Sequence, residues 1–227
     1  MKSENVNMPP PSARKVLDGG QGWIALIRQM GDEIDVVNAA RVSFGKMKCG
    51  KMDESDIRLM KHLVANRHTT PFEHVHFTFL VHCPIFVQRQ WVRHRTASIN
   101  EISRRYTEDG IELYIPASLR TQSESDRQCS TDQMCLFSQP LVEQMKAHAE
   151  SALRLYDTML QSGVCREQAR MVLPLSLMTT FWWTIDLHNL MHFLELRDDD
   201  HAQREIREYA VAIKDILRPN FPHIFQP

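Results

Sequence analysis

Five arginines, Arg89, Arg93, Arg95, Arg104 and Arg105, fall in the segment from Arg89 to Tyr106, with Glu101 as its single acid. The residues between them are not the lysine–glutamate mixture of a solvated helix face. Gln90, Trp91, His94, Ser98, Asn100, Ser103 and Tyr106 instead supply directional hydrogen-bond donors and acceptors. Guanidinium forks grip phosphate oxygens bidentately, and a charge-assisted hydrogen bond contributes roughly 1.5–3 kcal/mol. The combination suits a phosphorylated small molecule whose base edge is read by amide groups. Ser103 invites a nucleophilic role, but no Ser-His-Asp arrangement is legible, and a serine that binds substrate or caps a helix fits better.

A second cluster could hold a metal. His188 and His192 stand four residues apart on an expected helix, with Glu195 one turn on and Asp198–His201 beyond. The catalytic glutamate of an HExxH motif is missing, because Asn189 occupies its place, so no metal is assigned. Six of the eleven histidines lie between His62 and His94. Three of these, His74, His76 and His82, fit the polar face of a strand. Glu73 is read as a buried partner for one of the arginines.

The bulk properties exclude several classes. The 227 residues carry 27 Lys+Arg against 28 Asp+Glu, so no global basic field draws the chain to nucleic acid. The longest apolar stretch, Phe77–Val87, is broken by His82 and Pro84 and is too short to cross a bilayer. Five cysteines without a CxxC pair argue against a disulfide framework, and the N-terminus lacks an apolar leader; a reduced, cytoplasmic setting is expected.

These residues need elements to position them. Polar residues 1–20, with three consecutive prolines, read as a flexible N-terminal tail, and 21–227 as one domain. Helices are expected at Asp35–Val42 and at Asp53–Asn66, the latter with Ile57, Met60, Leu63 and Val64 on one face. Val75, Phe77, Phe79 and Val81 alternate with His74, His76, Thr78 and His82 as a half-buried strand does. Pro84 suits the start of a helix carrying Gln90 and Arg93. A strand is expected around Glu112–Ile115, an irregular surface loop over 119–139, and helices over 140–162, 165–173, 174–196 and 200–217. Trp182 and Trp183 would then be helix core. The fold class is α+β: a helix-rich single domain with a small, mainly antiparallel sheet.

Arg93, His94, Arg95, Ser98, Asn100, Glu101, Ser103, Arg105 and Tyr106 together match RHRxxSxNExSxRY, which resembles the signature of the flavin-dependent thymidylate synthases. AARVSF at 39–44, HTTPFEH at 68–74, PIFVQRQW at 84–91, REQARMVLP at 166–174 and LRDDDHAQREI at 196–206 resemble further family segments, in the family's order. The likeness spans about residues 20–218 but does not support the 119–139 loop. It implies reductive methylation of dUMP to dTMP, with 5,10-methylenetetrahydrofolate as carbon donor, reduced FAD as hydride donor and NADPH regenerating the flavin. It also implies a homotetramer with shared active sites, and no nucleic-acid or membrane partner is expected. By the same resemblance Gln90, Arg93, Glu101, Ser103, Arg104 (through its backbone), Arg105, Arg170 and Arg197 match dUMP-binding positions. Ser43, His68, Thr70, Arg93, His94, Arg95, Glu101, Asp186, His188 and His192 match FAD positions, with His68 also near the folate. Some members carry Asn, Arg and Asn where Asp186, His188 and His192 stand here. Arg197 and Ser103 are the catalytic candidates; Arg197 matches the arginine that favours the ionised uracil ring. None of the five cysteines lies in the signature, in keeping with a route that needs no thiol nucleophile.

Overall fold

A computed structural model describes residues 6–225. In chain order its elements are β1 (Arg14–Val16), β2 (Gly22–Met30), α1 (Glu33–Arg41), α2 (Glu54–Ala65), β3 (His76–Pro84), α3 (Ile85–Trp91), β4 (Ser98–Glu101), β5 (Arg120–Gln122), β6 (Ser130–Met134), α4 (Ser138–Gln161), α5 (Arg166–Ala169), β7 (Met178–Asp186), α6 (Leu187–Arg197) and α7 (Arg204–Leu217). The main sheet runs β1-β2-β3-β7-β4, each neighbour antiparallel, and β5-β6 form a separate hairpin. This is the expected α+β class.

Local chemistry starts the early helices. Asp32 and Asp35 form a capping box on α1, and Asp53 and Asp56 form another on α2, each satisfying amides that a helix start leaves unpaired. Phe77, Phe79 and Val81 of β3 are fully buried and stand opposite Ile185, Trp183 and Phe181 of β7. The helices α6 and α7 contact each other, α6 meets β7, and α7 meets β1, β2 and α3, so the core lies between the sheet and this helical layer.

The largest correction concerns 174–196. Residues 178–186 are the strand β7, and the helix begins only at Leu187. The segment MTTFWWTID is rich in β-branched and aromatic residues, and a short apolar run does not by itself reveal its period. Trp183 is core as expected, but on a strand, while Trp182 is exposed. The expected strand at Glu112–Ile115 is a single bridge, Leu113 to Leu177. The 119–139 loop contains the β5-β6 hairpin, and β2 and β4 have no counterpart among the expected elements. His82, placed on the polar strand face, is buried, stacked on Trp23 and hydrogen-bonded to Thr180 Oγ1 at 2.8 Å. In the expected tail, residues 14–16 are β1, and Asn7 is buried, donating to the Gly110 carbonyl (2.8 Å) and accepting from Thr180 (2.8 Å). Residues 1–5 of that tail lie outside the described residues.

Tyr209 of α7 donates to the His82 carbonyl at 2.6 Å, pinning the helical layer to β3. Gly22 makes room for it: a Cβ there would collide with the Tyr209 hydroxyl and with Leu17. Gly22→Ala is therefore expected to lower stability by about 2–4 kcal/mol, through overpacking and the lost buried hydrogen bond. Urea unfolding should show a lower midpoint with an unchanged slope; a wild-type midpoint would mean that the contact is not needed.

Candidate functional site

The arginine segment is held by rigid elements on both sides. Pro84 closes β3 and caps α3, whose Val87, Gln88 and Trp91 point inward while Arg89 faces out. After Trp91 the chain turns and enters β4, which pairs with β7, and Ile102 N–H donates to the Thr180 carbonyl at 2.9 Å. Arg93, Arg95 and Arg105 leave this frame and are exposed. Arg104 does the opposite. Its guanidinium is buried and donates to the carbonyls of Asp109 (2.6 Å) and Gly110 (2.9 Å), bracing the following turn. Only its backbone is left for a ligand, the part that the resemblance implies.

The last residue of α6, Arg197, reaches back to the segment. Its Nε donates to His94 Nε2 at 3.0 Å, and a terminal nitrogen donates to the Gln90 carbonyl at 3.4 Å. A guanidinium has no acceptor, so His94 Nε2 must carry the lone pair and Nδ1 the proton. Burial, then the charges of Arg197 and His192, push the His94 pKa down to about 4. His94 is thus a neutral acceptor at physiological pH. Its ring also packs on Phe193, 4.8 Å between centroids, and faces His192 at 5.9 Å.

Two regions open beside this core. A cleft of 530 Å³ is lined by Glu101, Ser103, Arg104 and Arg170, among others. Glu101 is fixed there by Thr179 Oγ1 (2.6 Å) and Gln88 Nε2 (3.2 Å), two neutral donors that leave its charge in place. Among the described residues Ser103 Oγ makes one side-chain hydrogen bond, accepting from Arg105 N–H at 3.3 Å, so no base is poised to activate it. Arg105 pairs loosely with Glu167 at 3.6 Å.

The second region consists of adjoining clefts of 770 and 650 Å³ that share Leu63, His68 and Thr69. His188 and His192 line the first; Ser43 and Thr70 line the second. Asp186 does not line either cleft: it caps α6, accepting from the Asn189 backbone (2.9 Å) and side chain (2.7 Å). Glu73, read as a buried arginine partner, is exposed. Among the described residues no three His, Cys, Asp or Glu side chains are grouped to hold a metal. The 530 Å³ cleft shares no lining residue with the histidine clefts. Sequence reasoning missed Gln88 and Thr179, which hold Glu101; Gln88 lies in the family-like segment PIFVQRQW with no role assigned to it, and Thr179 stands in no motif.

The model of the thymidylate synthase complementing protein family matches residues 25–223. A flavin-dependent thymidylate synthase of Thermus thermophilus is 46% identical over 215 residues, covering 95% of this chain and 77% of the relative. One from Thermosipho africanus is 44% identical, covering 93% and 92%. The chain belongs to the flavin-dependent thymidylate synthase family. Among solved structures, a UMP/dUMP methylase PolB from Streptomyces cacaoi bound with 5-Br dUMP superposes with a TM-score of 0.79 at 34% identity, covering 89% of this chain and 92% of that one. The same methylase bound with 5-Br UMP gives 0.80 at 33%, covering 95% and 96%.

For this synthase-family chain the neutral His94 makes a pH prediction. An unfolded histidine titrates near 6.5, whereas folded His94, like buried His82, titrates at about 4. Between those values the unfolded chain binds more protons, so stability is full above about 6.5 and falls as the pH drops toward 4. Thermal midpoints measured from pH 7 to 5 should decline, and His94→Asn should flatten part of that decline. An equal slope in both proteins would mean that His94 is protonated when folded.

Proposed function

We propose that this chain methylates dUMP to dTMP, taking the carbon from 5,10-methylenetetrahydrofolate. The observation that carries the reading is Arg197. Among the described residues it has no carboxylate partner, and it is held by a neutral imidazole and a carbonyl. Its full charge is therefore available to an adjacent anion, and it favours ionisation of a uracil ring placed against it. An anionic ring is electron-rich, so a thiolate is not needed to activate it. The buried Cys83, whose thiol is pushed well up by burial, would be a poor nucleophile in any case.

Gln90, Arg93, Glu101, Ser103, the Arg104 backbone, Arg105 and Arg170 would bind the nucleotide, the arginines taking its phosphate. The adjoining clefts fit a flavin in kind: apolar side chains such as Leu59, Leu63, Phe72 and Met191 alternate in their walls with histidines, hydroxyls and arginines that could meet its polar groups, and each has the size of a ligand pocket. Ser43, His68, Thr70, His188 and His192 would line it, Arg93, His94, Arg95 and Glu101 would meet its nucleotide side, and Asp186 would act by fixing the start of α6. When bound, the reduced FAD supplies the hydride, and NADPH restores it. The homotetramer is what the family resemblance implies, and exposed apolar side chains such as Met47, Leu136 and Phe137 are surface that subunit contacts would cover. Nucleotide and histidine regions that share no residue within one chain support active sites completed by a second subunit. The reaction would run in the cytoplasm; no helix among the described residues is long and apolar enough to cross a membrane.

The test is to incubate the protein with FAD, desalt it, and record the visible flavin band before and after adding dUMP. A retained band that shifts with dUMP is expected; no retained flavin with or without dUMP overturns the reading. Arg197→Ala should lower dTMP formation by about 10²–10³-fold, the order seen when a positioned charge-stabilising group is removed, while FAD retention changes little. Equal loss of both would make Arg197 structural. Ser103→Ala should keep measurable turnover, and a dead enzyme with intact dUMP affinity would restore the nucleophile.

A further inference from the structure

Glu205, at the start of α7, is a buried carboxylate with two partners. One oxygen accepts from the Arg120 guanidinium at 2.8 Å and the other from the Gln203 side-chain amide at 2.8 Å. The carbonyl end of Gln203 in turn accepts from the side-chain amide of Gln90. Arg120 is the first residue of β5, and its Nε donates across the hairpin to Ser130 Oγ of β6 at 3.0 Å.

The direction of this chain follows from chemistry alone. A guanidinium only donates and a carboxylate only accepts. Gln203 must therefore offer its NH₂ to Glu205, which turns its oxygen toward Gln90. Gln90 must meet that oxygen with its own NH₂, which leaves Gln90 Oε1 as the outward acceptor. A glutamine amide standing alone in a site could present either end.

We propose that Glu205 and Gln203 are positioning residues that fix which end of the Gln90 amide faces the nucleotide, and that the β5-β6 hairpin serves this by holding Arg120. The relay selects a hydrogen-bond donor on the nucleotide opposite Gln90 Oε1. The inference rests on the reading of Gln90 as a nucleotide-binding residue.

The relay can be reversed and restored. In Glu205→Gln, Arg120 still demands an oxygen at 205, so the new NH₂ faces Gln203 and both amides flip. The outward end of Gln90 then becomes a donor facing a donor. The dUMP Kd of the FAD-loaded protein, measured by calorimetry, should rise about tenfold or more, with flavin retention unchanged. Adding Gln203→Glu to that variant returns an acceptor to Gln90 and should bring the Kd back to within about threefold of wild type. If Glu205→Gln folds poorly, Gln203→Met leaves the Arg120–Glu205 pair intact, frees Gln90, and should raise the Kd several-fold. Wild-type affinity in Glu205→Gln or Gln203→Met, or a double variant no tighter than Glu205→Gln, overturns the relay. Gln90→Ala separates the two readings. If it leaves dUMP affinity unchanged, the nucleotide-site assignment fails and takes the relay with it. If it weakens dUMP while Glu205→Gln does not, the relay alone fails.

Discussion

The indole of Trp91 is the point on which the rest of the structure depends. It is fully buried, and four rings close on it: Phe181 and Trp183 from β7 at 5.4 and 5.0 Å, Phe193 from α6 at 4.9 Å, and Tyr209 from α7 at 5.6 Å. Aromatic pairs in such tilted and edge-on arrangements contribute about 0.5–1.5 kcal/mol each beyond the area they bury. The cluster does so while leaving the Trp91 N–H without a hydrogen-bond partner among the described residues. Two residues after Trp91 the signature begins, and Phe193, one of its four neighbours, also packs on His94. The same aromatic contact therefore builds the core and sets the register between the arginine segment and the helix that delivers Arg197.

Around that anchor, the molecule treats its cations in two ways. Arg41 and Lys48 both close on the buried Asp56, at 2.5 Å each, and Arg120 closes on Glu205. These pairs tie α1, α2 and the hairpin into place, and their charge is used up in doing so. Arg93, Arg95, Arg170 and Arg197 have no ion pair among the described residues. A chain of net charge −1 can thus still carry arginines whose charge no carboxylate among the described residues opposes. Net charge alone says nothing for a phosphate ligand; the unpaired arginines suit one.

Much of this is legible in the sequence, and the failures have physical causes. The period-two run around Phe77 and the capped α2 are readable because one face of each is buried and the other is not. The strand β7 reads as helix because a central strand buried on most positions loses its alternation, and β2 and β4 escape because a largely buried or a short strand leaves little periodic signal. The arginine segment stands out by residue types, whereas Arg197 is singled out only by the family likeness, and its bond to His94 only by the fold. Gln203 and Glu205 illustrate the limit. Their importance lies in which atom donates to which across 113 positions of chain, and no local pattern carries that.

His94 is a partner that holds Arg197 without neutralising it. A carboxylate would hold the guanidinium more tightly, but it would also neutralise it and raise the cost of bringing a second anion near. An exposed histidine would drift toward protonation and repel it. A histidine half withdrawn from water, its pKa held at about 4, does neither: it accepts one hydrogen bond, fixes the plane of the fork, and leaves the positive charge unopposed. The arginine itself helps to keep that imidazole neutral, since its charge is among the causes of the depressed pKa. Each group thus maintains the state that the other requires, and the largest cause of the neutral imidazole is burial, to which packing against Phe193 contributes, rather than a neighbouring carboxylate.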